Sequence, residues 1–296
     1  MKPAELTADL LRGMPLPEPD AGSKEGRGSV LIIAGSVEVP GAALLAATSA
    51  LRAGAGKLQI ATVMSAALHL ALAVPEAMVI GLPQTLDGGI DQFRARSRLT
   101  ASAAKAGAVL VGPGMTEGES TGALTAALCS DAPNTTFVLD AAALCDIRPH
   151  AKAVRSLLGQ VVITPHAGEM AQLLDTSREK IEADPVAAAV EGADLLNAVV
   201  VMKGAQSHIV APDGKHWLFK SGSVGLATSG SGDVLAGIIV GLLARGASPA
   251  EAALWGVYLH GAAGQILGQR GGPLGYLARE LAAEVPTIMH DLSPAS

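Results

Sequence analysis

Aromatic side chains are scarce in this 296-residue sequence, which contains two tryptophans, two tyrosines and three phenylalanines. Hydrophobic residues nevertheless make up 49% of the chain, and 35 residues are glycine. A core of this composition must be packed mainly from small side chains, and the hydrophobic content excludes intrinsic disorder. The length suits one large α/β domain or two small ones.

Clusters of positive charge are also missing. The formal net charge is −6 and no lysine- or arginine-rich patch stands out, so we expect neither nucleic acid nor an anionic membrane surface as a partner. The segment Met1–Asp20 mixes charged side chains with prolines and lacks the apolar run of a signal peptide. We therefore expect a cytoplasmic protein that acts on a small soluble ligand.

Membrane spans and cysteine-based sites are excluded on similar grounds. The uncharged stretch Leu58–Pro75 contains Gln59 and His69, and its pattern changes partway from strand to helix, so we do not interpret it as a membrane span. Cys129 and Cys145 are the only cysteines and belong to no paired motif. They predict neither a disulfide nor a metal-thiolate site.

Short apolar runs alternate with helical patterns along most of the chain. This alternation predicts an α/β fold with a mostly parallel central sheet and helices on both faces. The predicted strands are Val30–Ala34, Leu58–Val63, Met78–Leu82, Ala108–Val111, Thr136–Leu139, Val161–Thr164, Val199–Met202, Ser207–Val210 and His216–Phe219. The turn at Pro212–Gly214 should join the last two into a hairpin at one edge of the sheet.

The domain organisation is expected to be simple. Residues 1–25 are polar and contain prolines, which predicts an N-terminal surface segment, and residues 26–296 should form a single domain. Two helices are predicted after the glycine-rich segment Gly222–Asp233. The second should open at Ser248, with a proline in the first turn and Glu251 completing a capping box.

The glycine-rich segment is the strongest candidate for chemistry. From Val234 onward the large apolar residues recur at the spacing of one buried helix face, which places Asp233 at a helix N-terminus. Gly225, Gly230 and Gly232 permit positive φ angles and leave backbone N–H groups uncovered. Donors that converge at the positive end of a helix bind anions, above all phosphate.

Asp233 itself allows two interpretations. A carboxylate beside an anion site repels phosphate, unless its task is to take a proton from a hydroxyl group that attacks that phosphate. The alternative is that Asp233 only caps the helix after a flexible loop.

Two further loops follow predicted strands, and in open α/β sheets ligands bind beyond the carboxyl ends of the strands. His166 could donate a hydrogen bond to a ligand oxygen and Glu169 could hold metal-bound water, or both could merely cap and complement the following helix. Lys203 could meet phosphate or a nucleobase, or it could simply be solvated.

The motifs together resemble a known family. The segment Ala227–Gly237, Ala-Thr-Ser-Gly-Ser-Gly-Asp-Val-Leu-Ala-Gly, is similar to the signature of ribokinase-like kinases, and with Thr164–Glu169, Thr-Pro-His-Ala-Gly-Glu, it resembles more closely the ADP/ATP-dependent NAD(P)H-hydrate dehydratases. The similarity runs from about Lys24 to Ile288. Two departures are Ser23–Gly28, where the family often has His-Lys-Gly, and Ala142, where it often has a second aspartate.

This resemblance implies a ribokinase-like fold and the repair of hydrated nicotinamide cofactors. A phosphoryl group would pass from ADP or ATP to the ring hydroxyl of S-NADHX or S-NADPHX, and phosphate elimination would regenerate NADH or NADPH. Mg²⁺ would bridge the phosphates with few direct protein ligands. The resemblance leaves open the preference for ADP or ATP, the preference for NADHX or NADPHX, and the effect of Ala142.

The resemblance also assigns roles to residues. Asp233 would be the catalytic base, and Glu169 is the candidate for the water shell of Mg²⁺. Contacts to the hydrated dinucleotide are implied for Ala42, Gly114, His166 and Asp233. Contacts to the adenine nucleotide are implied for Lys203, Gly204, Ala205, Gln206, Ser207 and Gly232, with the N–H groups of Ser229, Gly230, Ser231 and Gly232 stabilising the moving phosphoryl group.

Alternatives of a different class remain at this point. A ribokinase-like small-molecule kinase would release a stable phosphorylated product, and a non-enzymatic nucleotide-binding protein would turn over nothing. Relatives that resemble this chain commonly assemble, and its alanine-rich helices offer flat surfaces, so we also expect a homo-oligomer, a tetramer.

Overall fold

A computed structural model describes residues 3–18 and 27–293 of the chain. The predicted boundary at residue 25 and most of the divergent segment before the first predicted strand lie outside the described residues.

A ten-stranded sheet forms the centre of the described structure. Its strands are β1 (Ala4–Glu5), β2 (Ser29–Ile33), β3 (Lys57–Val63), β4 (Ala77–Leu82), β5 (Ala108–Val111), β6 (Thr136–Leu139), β7 (Val161–Ile163), β8 (Val199–Met202), β9 (Ser207–Val210) and β10 (His216–Phe219). Their order is β1-β10-β9-β8-β7-β6-β5-β2-β3-β4. Strand β9 runs antiparallel to β8 and β10, and the other pairings are parallel.

Helices cover both faces of this sheet. They are α1 (Ala8–Arg12), α2 (Gly41–Arg52), α3 (Met64–Ala73), α4 (Gln92–Ala103), α5 (Glu119–Asp131), α6 (Ala151–Arg155), α7 (Ala167–Leu174), α8 (Arg178–Ala183), α9 (Pro185–Leu196), α10 (Ser231–Ala244), α11 (Pro249–Gly271) and α12 (Ala278–Leu292). Alternate residues of β2 show the two layers, because Val30 and Ile32 belong to one buried cluster while Leu31 and Ile33 belong to the other. The predicted fold class is confirmed.

Contacts between small residues replace aromatic packing in the core. Helix α10 lies so close to α2 that a Cβ atom added to Gly237 would sit 2.4 Å from the carbonyl oxygen of Ala46, and one added to Gly241 would sit 2.6 Å from that of Ala50. All residues from Val234 to Leu243 are buried. The prediction of one buried face on this helix was therefore wrong, because helices and the sheet enclose it on all sides.

The described N-terminal residues are mostly exposed or half-exposed, but they also pair and pack with the rest of the domain. Strand β1 pairs in parallel with β10, so the hairpin of β9 and β10 is one strand away from the edge of the sheet. Leu11 is fully buried, and the indole Nε1 of Trp255 donates to the carbonyl oxygen of Met14 at 2.9 Å. A two-residue strand is too short to show a periodic pattern, so the pairing of β1 with β10 could not be predicted from the sequence.

The C-terminal part contains one more helix than predicted. Helix α12 includes Pro286 in its interior, and a glycine-rich connection precedes it. Proline and glycine-rich segments usually mark the ends of helices, so this helix was not predicted from the sequence. Among the described residues no helix has the length and apolarity that a membrane span requires. Cys129 and Cys145 are buried free thiols, and burial raises the pKa of Cys129 to about 12.

Candidate active site

The glycine-rich turn ends at the N-terminus of α10, as predicted. Gly230 is the N-cap residue with φ +86°, and a Cβ atom there would sit 2.4 Å from Cδ1 of Leu45. Gly225 and Gly232 do not have positive φ angles, so that part of the prediction was wrong. Position 225 requires glycine for a steric reason instead, since a Cβ atom there would lie 2.5 Å from the ring of Tyr276.

The first turn of α10 supplies the backbone donors. The N–H group of Ser231 donates to the carbonyl oxygen of Thr228 at 3.2 Å, so this member of the predicted set is already engaged. Gly232 and Asp233 follow in the same turn, where a helix provides no carbonyl partner for its N–H groups. These donors and the positive end of the helix dipole make the start of α10 suited to bind an anion.

Asp233 lies in this first turn as its acidic residue. It is not the N-cap, so the capping interpretation was wrong, and among the described residues its carboxylate accepts no hydrogen bond. Burial, together with the nearby carboxylates of Asp140 and Glu169, raises the pKa of Asp233 to about 7, although Lys203 opposes the change. A carboxyl group with this pKa is suited to accept a proton near neutral pH.

A buried ion network lies beside Asp233. Lys203 Nζ donates to Asp140 Oδ1 at 2.9 Å and lies 3.5 Å from Glu169 Oε2, while Thr164 Oγ1 donates to Asp140 Oδ1 at 2.6 Å. Asp140 is only 2% exposed. Burial opposes the charge on Lys203, but these two carboxylates outweigh it and raise the pKa of its ammonium group. Lys203 is therefore a permanent cation at the base of the site.

Neither Asp140 nor Thr164 has a role predicted from the sequence, although Thr164 opens the Thr164–Glu169 motif. The residues follow β6 and β7, and Lys203 follows β8, so they meet only because these three strands are neighbours in the sheet. The backbone reinforces the arrangement, since Lys203 N–H donates to the carbonyl oxygen of Pro165 at 2.8 Å. Their proximity could not be predicted, because sequence motifs do not encode the order of the strands in the sheet.

His166 and Glu169 form a capping box at the start of α7. Nδ1 of His166 accepts from the N–H groups of Gly168 and Glu169 at 3.0 and 3.1 Å, and Oε2 of Glu169 accepts from His166 N–H at 2.7 Å. The capping alternative is thus observed for both residues. The imidazole of His166 remains 59% exposed, and because Nδ1 is an acceptor, Nε2 carries the proton of the neutral ring and can donate to a ligand.

The pKa of Glu169 is raised because burial outweighs the attraction of Lys203. Among residues 3–18 and 27–293 no group of three or more histidine, cysteine or acidic side chains could hold a metal ion. Since Lys203 already occupies the space between Asp140 and Glu169, the donor set fits a divalent cation held through water and ligand phosphates, not one chelated by the protein.

A cavity of about 700 Å³ opens between this network and the helices; we call it the α10 cavity. Of the predicted nucleotide residues, it is lined by Lys203, Gly204, Ala205, Ser207, Ser231 and Gly232, whereas Gln206, Ser229 and Gly230 do not line it. The apolar walls of the α10 cavity were not predicted from the sequence. They are formed by Phe219, Val224, Leu226, Leu235 and Val257. Such residues look like ordinary core positions until the fold places them around an opening.

His260 also lines the α10 cavity and has no role predicted from the sequence. Its Nε2 lies 2.9 Å from Ser231 Oγ, so it fixes the side chain of the first residue of α10. Burial lowers the pKa of His260 to about 4, which keeps the ring neutral at physiological pH.

Ala42 and Gly114 lie together at another part of the same edge. Gly114 has φ +63°, and a Cβ atom added to it would sit 2.6 Å from Cβ of Ala42. These residues follow β2 and β5, which adjoin where the strand order reverses, the position at which open α/β sheets bind ligands. They do not line the α10 cavity. Leu45, one turn after Ala42, contacts the Gly230 position, so the pair lies toward the start of α10.

A second cavity of about 680 Å³, the α8 cavity, is bordered by Arg178, Ile181 and Glu182 of α8. It shares His166, Lys203, Gly204 and Ala205 with the α10 cavity. His166 thus lies at the junction of the two cavities, and Gln206 faces the α8 cavity.

Comparison with known proteins identifies the family of the chain. A sequence model of the NAD(P)H-hydrate dehydratase family matches residues 30–287. The ADP-dependent (S)-NAD(P)H-hydrate dehydratase of Xanthomonas campestris is 47% identical over 287 residues, which cover 97% of this chain and 96% of that protein.

Solved structures show the same relationship. The ADP/ATP-dependent NAD(P)H-hydrate dehydratase of Bacillus subtilis, co-crystallised with ATP/Mg²⁺, superposes with a TM-score of 0.80 at 30% identity, covering 99% of this chain and 100% of that one. A ribokinase-like superfamily protein of Enterococcus faecalis superposes with a TM-score of 0.79 at 24% identity, covering 98% and 96% of the two chains, and shows the fold alone. From the extent of the family match and the identity to the Xanthomonas enzyme, the chain belongs to the NAD(P)H-hydrate dehydratase family.

Proposed function

We propose that the protein is an ADP-dependent (S)-NAD(P)H-hydrate dehydratase that returns hydrated NADH and NADPH to their reduced forms. The observation that carries this proposal is Asp233, a carboxyl group with a pKa raised to about 7 in the first turn of α10. A base next to an anion-binding helix end is what a hydroxyl group needs in order to attack a phosphoryl group. ATP is the alternative phosphoryl donor.

The first chemical step follows from this arrangement. The ring hydroxyl of the hydrated cofactor loses its proton to Asp233, and its oxygen attacks the terminal phosphorus of the nucleotide. The bond from that phosphorus to the bridging oxygen breaks, so that ADP leaves as AMP. The N–H groups of Gly232 and Asp233 and the ammonium group of Lys203 stabilise the negative charge of the moving phosphoryl group.

Elimination completes the reaction. Hydroxide is a poor leaving group and phosphate is a good one, so the phosphorylated ring expels phosphate as its C–O bond breaks. Loss of a proton from the neighbouring ring carbon then restores the double bond. No oxidant or reductant is needed, because water has been removed overall at the expense of one phosphoanhydride bond.

The two ligands approach from different parts of the strand edge. The adenine nucleotide occupies the α10 cavity, whose apolar walls fit a purine and whose inner end is the start of α10. The hydrated ring lies near Ala42 and Gly114. Mg²⁺ carried on the nucleotide phosphates would be held through water by Glu169 and would supply positive charge to the transferred group. We propose that this reaction takes place in the cytoplasm.

A direct assay tests the proposal. The purified protein is incubated with hydrated NADH, Mg²⁺ and either ADP or ATP, and the absorbance of reduced nicotinamide is followed together with the release of phosphate. We expect both signals to rise in equal amounts. If mass spectrometry instead finds a stable phosphorylated product, the protein is a kinase; if no nucleotide is consumed with either donor, the proposal is wrong.

A further inference from the structure

The α8 cavity has no role in the mechanism above. Its volume of about 680 Å³ lies within the usual range for small-molecule sites, roughly 300–1,000 Å³. It meets the catalytic region at His166 and Lys203, which border both cavities. A ligand that starts at Asp233 can therefore extend into it past His166.

Its walls combine an apolar surface with a cation. Ile181 and Met202 are each 3% exposed and present buried apolar surface, to which Pro185 adds its ring. Arg178 lies at the rim, and its Nε donates to Glu182 Oε1 at 2.7 Å. The terminal guanidinium nitrogens of Arg178 make no hydrogen bond to any other described residue. They can bind a phosphate in the bidentate manner of arginine, with Glu182 holding the side chain in place.

The position of the cavity matches the length of the substrate. Ala42 and Gly114 follow β2 and β5, and the α8 cavity borders the end of β8, three strands beyond β5. At about 4.8 Å per strand, the distance from β2 to β8 is roughly 19 Å, which an extended dinucleotide can span. The α10 cavity lies toward α10 and α11, and in the proposed function it holds the second nucleotide.

We propose that the α8 cavity binds the adenosine half of the hydrated dinucleotide and that Arg178 contacts the 2′-phosphate of hydrated NADPH. Arg178 is then a specificity-determining residue that separates hydrated NADPH from hydrated NADH. This inference depends on the proposed function for the identity of the ligand. The chemistry recognised is an adenosine phosphate, which could also be a free nucleotide, and the experiments separate these sources.

The kinetic test compares Arg178→Gln with a matched control, Lys180→Gln. Lys180 is an exposed cation on the same short helix and does not line the cavity. Arg178→Gln should raise KM for hydrated NADPH about tenfold, because a charge-assisted bidentate contact is lost, while KM for hydrated NADH and for ADP changes less than about twofold. Lys180→Gln should leave all three constants near wild type. Equal effects of Arg178→Gln on the two hydrated cofactors would overturn the assignment.

A binding test uses adenosine 2′,5′-bisphosphate as the probe, with saturating ADP in the α10 cavity. Calorimetry should detect binding to the wild type that weakens about tenfold in Arg178→Gln, and the probe should inhibit competitively against hydrated NADPH. Inhibition that is not competitive with the hydrated cofactor would mean a regulatory site for free nucleotide and would overturn the substrate assignment.

The two hypotheses fail separately. If the wild type restores reduced nicotinamide but Arg178→Gln retains the wild-type KM for hydrated NADPH, the inference about the α8 cavity is wrong and the proposed function stands. If the wild type does not act on hydrated cofactors, the proposed function is wrong. The calorimetric comparison then still decides whether the cavity binds an adenosine phosphate through Arg178.

Discussion

Replacing Asp233 by asparagine should abolish turnover and stabilise the fold at the same time. The amide keeps the shape of the side chain but cannot accept the hydroxyl proton, and a general base typically contributes about 10²–10⁴-fold to the rate. It also removes a negative charge from the neighbourhood of bound phosphate. We therefore expect ADP to bind as tightly as in the wild type or more tightly, as measured by calorimetry.

The size of the stability effect follows from the pKa. The folded protein raises the pKa of Asp233 from 3.8 to about 7, so the folded state holds a proton that the unfolded state releases. Wild-type stability therefore falls as pH rises between these values, by at most about 4 kcal/mol above pH 7. Solvent around the partly accessible carboxyl group reduces this, and about 2 kcal/mol is our expectation. Asp233→Asn avoids the loss and should melt about 4 °C higher at pH 8.

Scanning calorimetry and kinetics at several pH values check this reasoning. The melting advantage of Asp233→Asn should shrink toward zero as pH approaches 4, and wild-type kcat/KM should rise about tenfold per pH unit below 7 and then level off. Asp194→Asn, an exposed site on α9, should change neither property. A residual rate within about tenfold of wild type, or an equal melting temperature at pH 8, would refute the role of Asp233 as a buried base.

Three other predictions concern the nucleotide, the ion network and assembly. Gly232→Val should weaken ADP binding at least about tenfold by calorimetry, because its Cβ would lie 3.4 Å from Lys203 Nζ and its methyl groups would crowd the backbone donors; normal affinity would place the anion site elsewhere. Lys203→Met should lower the free energy of unfolding by about 3–5 kcal/mol in urea titrations, because buried Asp140 loses its cationic partner and keeps only the hydrogen bond from Thr164, and Lys203→Arg should recover part of the loss. Light scattering at micromolar concentration should show a homo-oligomer, in our expectation a tetramer, and a monomer alone would contradict it.

The elements predicted correctly from the sequence are those whose formation depends on neighbouring residues in the chain. Strands such as Ala108–Val111 are buried on both faces, so their apolar runs end where the strands end. The capping box at Ser248 and the helix start before Asp233 are likewise determined by neighbouring residues. What escaped prediction depends on distant partners. Strand β1 needs β10 beside it, and α12 tolerates Pro286 because its other residues pack on a core that exists only after folding.

The site divides in the same way. The short motifs located Asp233, His166 and Lys203, because turns and helix starts are local. The contact between Lys203 and Asp140 joins residues 63 positions apart, and it follows from strand order, which no single motif encodes. Ser207 lines the α10 cavity, whereas the adjacent Gln206 lines the α8 cavity. This difference depends on the direction of each side chain, which the sequence motifs do not encode.

The scarcity of aromatic residues makes the protein unusually simple to observe by fluorescence. It has two tryptophans, and both lie against the N-terminal residues: Trp217 of β10 is paired with Ala4, and Trp255 donates to the carbonyl oxygen of Met14. Trp255 is 2% exposed, so its emission should be blue-shifted while these contacts persist. Intrinsic fluorescence therefore reports whether the N-terminal residues are docked on the sheet, and a red shift without loss of helical circular dichroism would mark their detachment from an otherwise folded domain.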